Sequence, residues 1–120
     1  MRGEGRILLL GDFNCIIEER DAETNTQRKL EPSLEVLTRE FNLVDVWRER
    51  NPNKVEYTWG RPGSGSSRLD RGYLSRELLV GVTQVEHLVS TSDHKAVWLE
   101  MEVEDLHLPL PPYREAPGLL

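Results

Sequence analysis

Three short polar motifs hold the residues best suited to chemistry: Gly11-Asp12-Phe13-Asn14, Arg68-Leu69-Asp70 and Ser92-Asp93-His94. Together they offer carboxylates, an amide and an imidazole. Such groups can hold a divalent cation and activate a water against a phosphodiester. Asp12 and Asn14 flank Phe13, so in an extended segment they point one way and Phe13 the other. An acid and an amide on one side can activate a water and hold a phosphoryl oxygen, but the same tetrapeptide is also a common turn. Asp93 and His94 are adjacent and fit different jobs, Asp93 toward a cation and His94 toward a phosphate or leaving oxygen; a capped turn is the alternative. Asp70 sits in an apolar stretch and needs a partner. Arg68 or Arg71 can supply one. So can a histidine from a neighbouring strand end, and Asp70 with His94 then forms the carboxylate–imidazole pair of hydrolase triads. Thr58 and Trp59 offer a hydroxyl and an indole N–H nearby, although Trp59 also reads as core. His87 and His107 read as structural or solvent-exposed.

These motifs need strands that end where they begin. The apolar run Ile7-Leu8-Leu9-Leu10 leads into Gly11-Asp12 and reads as a short central strand buried on both faces. Pro32 and Ser33 open a helical pattern in which Leu30, Leu34, Leu37 and Phe41 share a face, and Asn42 ends it. Residues 43–47 read as a helical turn or irregular segment. Val55, Tyr57 and Trp59 alternate as a strand, and the Gly/Ser-rich residues 60–67 read as a flexible loop. Residues 68–74 form a second strand, Ser75 an N-cap for a short helix at 76–79, and Val82, Val85 and Leu88 a further strand. Residues 96–103 carry the clearest alternation in the chain. Strand ends are where open α/β sheets put their chemistry.

Hydrophobic residues at 38% and charged ones at 30% of 120 residues describe one ordinary globular domain. No apolar run approaches the ~20 residues of a membrane span. The N-terminal apolar run is too short for a secretory signal, which needs ~7–15 residues. The lone Cys15 cannot make an internal disulfide and favours a reducing compartment. A net charge of −6 argues against a module whose whole surface grips nucleic acid. It leaves room for local phosphate binding through a metal. Residues 61–76 are the one locally basic segment, either a solvated loop or a DNA contact surface.

In order and approximate spacing the motifs, with Tyr57-Thr58-Trp59 and Tyr73-Leu74-Ser75, resemble the endonuclease/exonuclease/phosphatase superfamily. Within it, Leu43-Val44-Asp45-Val46-Trp47-Arg48 and Asp70-Arg71-Gly72-Tyr73-Leu74-Ser75 are similar to the apurinic-type endonuclease domain of non-LTR (LINE-type) retrotransposons. The resemblance implies an α/β fold: one half of a two-layer α/β sandwich, with a mixed, mostly antiparallel sheet and one main covering helix. It assigns 1–103 to the C-terminal half of such a domain and leaves 104–120 as a Pro-rich tail. It also implies roles. Asp12, Asn14, Asp70 and His94 would be catalytic, with Asp12 on the attacking water and Asp70 orienting His94. Asn14, Thr58, Trp59 and Arg68 would touch substrate. Asp12, Asn14 and Asp93 would serve Mg2+ or Mn2+.

The expected partner is DNA, the expected location intracellular (nuclear or cytoplasmic, not secreted), with no membrane association. The resemblance covers only the second half of the family domain, so the main metal-binding glutamate and a phosphate-contacting tyrosine have no equivalent. The isolated chain is therefore expected to be nearly inactive, with one sheet face open to a chain supplying the other half or to self-association. The alternatives are a non-catalytic retrotransposon-derived remnant or interaction module, and a phosphatase of inositol phosphates or lipids. Trp59 and Tyr73-Leu74-Ser75 favour the nuclease branch over the phosphatase.

Overall fold

The computed structural model describes residues 6–24 and 32–102. Leu30, Val103, His107 and the Pro-rich tail lie outside the described residues. Strand β1 is Leu8–Asp12, helix α1 is Pro32–Glu40, strand β2 is Leu43–Asp45 and helix α2 is Val46–Arg50. Strands β3 (Trp59–Arg61) and β4 (Gly65–Ser67) come next, then β5 (Asp70–Ser75), β6 (Val82–Leu88) and β7 (Ala96–Met101). The sheet that carries the site has the order β1-β5-β2, and β3-β4 and β6-β7 form two separate hairpins. Every strand pairing among the described residues is antiparallel.

The central strand is β5, buried along its length after Asp70. The run Ile7-Leu8-Leu9-Leu10, predicted as the central strand, instead forms an edge strand, with Leu8 44% and Leu10 52% exposed. A continuous apolar run looks the same whether its second face is met or not, so the pattern could not tell these cases apart. Register runs from Leu8 opposite Leu74 to Asp12 opposite Asp70, which brings two of the three motifs to one sheet edge.

Each face of β5 has its own apolar cluster. On one, Leu34 and Leu37 from α1 and Phe41 just after it pack with Leu43, Tyr73, Cys15, Leu9 and Phe13, as the helical spacing predicts. On the other, Leu74 and Val46 meet Val82, Leu99 and Met101 of the β6–β7 hairpin. That second face was expected to be open. The hairpin covers most of it and leaves Leu8 and Leu10 bare at the edge. Gly72 leaves room for the Leu10 side chain across the β1–β5 pair, because a Cβ there would lie 2.9 Å from Leu10 Cδ2.

Other local readings change too. Residues 43–47 split into β2 and α2, with the Asp45 carboxylate capping α2 by accepting from the Arg48 N–H at 3.4 Å. Asn42 ends α1 with φ +50°. Residues 54–57 are irregular, so the predicted strand starts only at Trp59. The predicted flexible loop at 60–67 is a hairpin, turned by Gly63 and Gly65 at φ +79° and +82°. Ser75 precedes a 3₁₀ turn but does not cap it; its hydroxyl accepts from the Ile7 N–H at 2.8 Å. No helix among the described residues is long and apolar enough to cross a membrane.

Candidate active site

The site begins where β1 and β5 meet. Phe13 N–H donates to the Leu69 carbonyl at 2.9 Å and so extends the β1–β5 pairing past Asp12. The chain then turns. Asn14 adopts φ +52° and its N–H donates to Asp12 Oδ1 at 2.8 Å. The predicted extended arrangement of Asp12 and Asn14 is thus replaced by a side-chain-mediated turn. Behind it, Arg71 is wholly buried. Its guanidinium donates to the Cys15 carbonyl at 2.5 Å and to the Tyr73 hydroxyl at 2.8 Å. Burial holds the Tyr73 hydroxyl above its ordinary pKa, against the charge and hydrogen bond of Arg71.

The third motif reaches this edge through β3. Trp59 forms an antiparallel bridge with His94. Lys95 N–H donates to the Thr58 carbonyl at 2.6 Å and Gly60 N–H to the Asp93 carbonyl at 3.3 Å. Ser90 and Ser92 hydroxyls donate to the His94 carbonyl at 2.5 and 3.1 Å, tightening the loop. His94 Nδ1 then lies 2.7 Å from Asp70 Oδ2, and Nε2 lies 3.8 Å from Asp12 Oδ2. The hydrogen bond to Asp70 raises the His94 pKa above its ordinary value despite partial burial. The other partners considered for Asp70 are engaged elsewhere: Arg68 with Asp21 and Asp45, Arg71 with Cys15 and Tyr73.

Not every sequence-predicted residue joins them. Asp12, Asp70 and His94 offer ligand atoms within 4.8 Å of one another, and Asp93 is outside this cluster. Its carboxylate accepts instead from Arg61 Nε at 2.6 Å, a bond that holds its pKa below the usual range. Asn14 is exposed beside Asp12. Trp59, Asp93, His94, Tyr57, Ser92 and Lys95 help line a cavity of about 410 Å³ beside the cluster.

Two expected substrate contacts are internal. Thr58 is 1% exposed, and its hydroxyl accepts from the Leu69 and Asp70 N–H groups at 2.9 and 3.0 Å. Arg68 is fully buried between Asp21 and Asp45. Both were expected to touch substrate because a sequence shows polarity but not the buried acceptors and donors that answer it. Arg61 was visible only as part of a basic stretch.

The cluster suits a hard cation. It supplies carboxylate oxygens from Asp12 and Asp70, too few to enclose an ion. That matches magnesium-like ions, which keep several waters and bind through one or two carboxylates. The His94 ring, held at Nδ1, has Nε2 turned toward Asp12.

No family model matches the chain. It is 37% identical over 102 residues to the transposon TX1 uncharacterized 149 kDa protein of Xenopus laevis, a match that takes in 81% of this chain and 8% of that protein. Its fold is similar to that of the 3'-5' exonuclease NExo from Neisseria meningitidis, with a TM-score of 0.64 and 20% identity. A structure of the 3' phosphatase NExo from Neisseria bound to product DNA hairpin gives a TM-score of 0.65, also at 20% identity. The chain shares the fold of these two NExo structures. The transposon relative agrees with the retrotransposon resemblance. The chain spans 46% of the NExo chain, with 82% of its own residues covered.

Proposed function

We propose that the chain contributes the second half of a metal-dependent DNA endonuclease site of a retrotransposon-type protein. The observation that carries the reading is the contact of Asp70 with His94 at 2.7 Å, with Asp12 across from Nε2. Asp70 fixes the Nδ1–H tautomer and favours the imidazolium. Nε2–H, on the side of Asp12, then donates to a phosphoryl oxygen and stabilises the charge that develops there. Asp12 orients or deprotonates the attacking water. Asn14, exposed at the turn, contacts the phosphate, and Trp59 borders the cavity that would receive the substrate.

Asp12 and Asp70 would hold Mg2+ or Mn2+, with Asn14 beside them. When bound, the ion neutralises phosphate charge. Asp93, paired with Arg61, serves the rim. DNA as substrate is supported by the NExo structure bound to product DNA hairpin. The buried, solitary Cys15 suits an intracellular setting.

The bare Leu8 and Leu10 and the 46% coverage of NExo support a site completed by residues outside this chain. Plasmid nicking with magnesium tests the reading, first on the chain alone and then on a longer product in which it is joined to a first half of an endonuclease/exonuclease/phosphatase domain. The chain alone should nick weakly or not at all. The longer product should nick, and Asp12→Ala and His94→Ala should each abolish it. Nicking that survives both substitutions would overturn the assignment. A longer product that never nicks would leave a non-catalytic interaction module as the better account.

A further inference from the structure

Arg68 is fully buried, yet it lies two residues from the Asp70 carboxylate that meets His94. Its guanidinium donates to Asp21 through Nε at 2.9 Å and Nη2 at 3.2 Å. It also donates to Asp45 through Nη1 at 3.1 Å and Nη2 at 2.6 Å. The planar fork thus meets two carboxylates, a geometry lysine cannot copy. The face of the Trp47 ring lies 5.2 Å from the guanidinium carbon. Asp21 belongs to the 3₁₀ turn after the first motif, and Asp45 joins β2 to α2. The main chain repeats the tie, since Arg68 N–H donates to the Asp21 carbonyl at 2.7 Å.

From this fixed point the links run outward to each reactive group. The next two N–H groups, of Leu69 and Asp70, both donate to the Thr58 hydroxyl. Thr58 accepts from Lys95, beside His94, and Leu69 accepts from Phe13, beside Asp12. Residues 68–70 are therefore the junction through which Asp12, Asp70 and His94 are held in register.

We propose that Arg68 is a positioning residue whose guanidinium, clamped between Asp21 and Asp45, fixes the strand entry from which Asp70 reaches His94. Arg68 touches neither substrate nor cation in this role; it acts through Asp70. The inference rests on the reading of Asp70 and His94 as the catalytic pair. Its test is independent of nicking, so a chain that never cleaves DNA can still pass or fail it.

The test follows the low-field Nδ1 proton of His94 by NMR at fixed pH, together with amide exchange at Leu69 and Asp70. Arg68→Lys keeps the buried charge and loses the fork. The combined change Arg48→Met, Arg68→Met, Asp21→Asn and Asp45→Asn removes the charges of the cluster together, Arg48 included because it also pairs with Asp21, which spares the fold an unpaired ion. Arg50→Met, on the far side of α2, serves as the control. Arg68→Lys and the combined variant should stay folded, lose the His94 proton signal and exchange the two amides about tenfold faster. Arg50→Met should change none of these. The proposal is overturned if the folded variants keep the His94 signal, or if Arg50→Met loses it equally. Failure of both Arg68 variants to fold would also overturn it, because Arg68 would then serve stability rather than the site.

Discussion

Asp70 and His94 are 24 positions apart in sequence and meet at 2.7 Å, the carboxylate on Nδ1. The contact depends on two separate pieces of backbone. The β1–β5 register sets Asp70 opposite Asp12, and the Trp59–His94 bridge brings the third motif to the same edge. A pair held at both ends by main-chain bonds keeps its ring orientation without substrate, which limits the reorganisation left for the reaction.

Asp70→Asn should therefore lower the His94 pKa. The Asp70 hydrogen bond is the main reason it stands above its ordinary 6.5. A raised pKa means that this pair adds stability below the unfolded value and loses it as pH rises through the folded one. NMR titration of His94 in metal-free buffer should show the midpoint falling in Asp70→Asn, with the imidazolium lost at lower pH. An unchanged midpoint would show that the carboxylate does not govern the ring.

Asp21→Ala should be among the most destabilising single substitutions. Asp21 is fully buried and accepts from Arg68 at 2.9 Å and Arg48 at 2.7 Å. Burial pushes its carboxyl up, but the bonds from Arg68 and Arg48 outweigh this and hold it below the usual range. Removing it leaves Arg68 buried with half its partners, a loss of about 3–5 kcal/mol. Since domains of this size have ~5–15 kcal/mol in all, urea denaturation should show a much lower midpoint or no folded baseline. A loss below about 1 kcal/mol would mean that Asp45 alone satisfies Arg68.

The Asp70–His94 pair was legible in the sequence because both residues sit at strand ends where unpaired polar groups need a reason. The Arg68–Asp21–Asp45 cluster was not legible, because its members are 47 and 23 positions apart and each looks like ordinary surface charge. The same holds for His87. Its partner is not the adjacent Glu86 but Glu56, 31 positions away, whose carboxylate lies 2.7 Å from Nδ1. The α1 face followed from its spacing, since a helix buries one stripe wherever it packs. The position of β1 at the sheet edge did not, since that depends on what lies beside it and not on its own pattern.

Leu8→Thr with Leu10→Thr should reduce self-association. Among the described residues β1 pairs only with β5, and its two outward leucines are 44% and 52% exposed. A bare apolar edge strand is a template for another chain. Light scattering after gel filtration should show the unsubstituted chain growing in mass with concentration and the double variant staying monomeric. A monomeric unsubstituted chain at all concentrations would count against this edge as an association surface.

His87 should give the chain an acid sensitivity of opposite sign to that of His94. Its side chain is buried, stacked on Trp47 with ring centroids 4.7 Å apart, and Nε2 has no partner among the described residues. Burial holds its pKa below the ordinary 6.5, against the pull of Glu56. Burial alone would raise the Glu56 pKa, but bonds from His87 and Lys54 hold it below its ordinary value. A depressed folded pKa means that the contribution of His87 is whole above the unfolded value and is lost as pH falls through the folded one. His87→Phe keeps a ring against Trp47, removes the orphan nitrogen and cannot protonate. Glu56, left with Lys54, can turn to solvent at modest cost. Thermal melts from about pH 7 down to about pH 5 should show the unsubstituted chain losing melting temperature faster than His87→Phe. Parallel curves for the two proteins would mean that His87 stays neutral or charged alike in both states and does not set the acid limb.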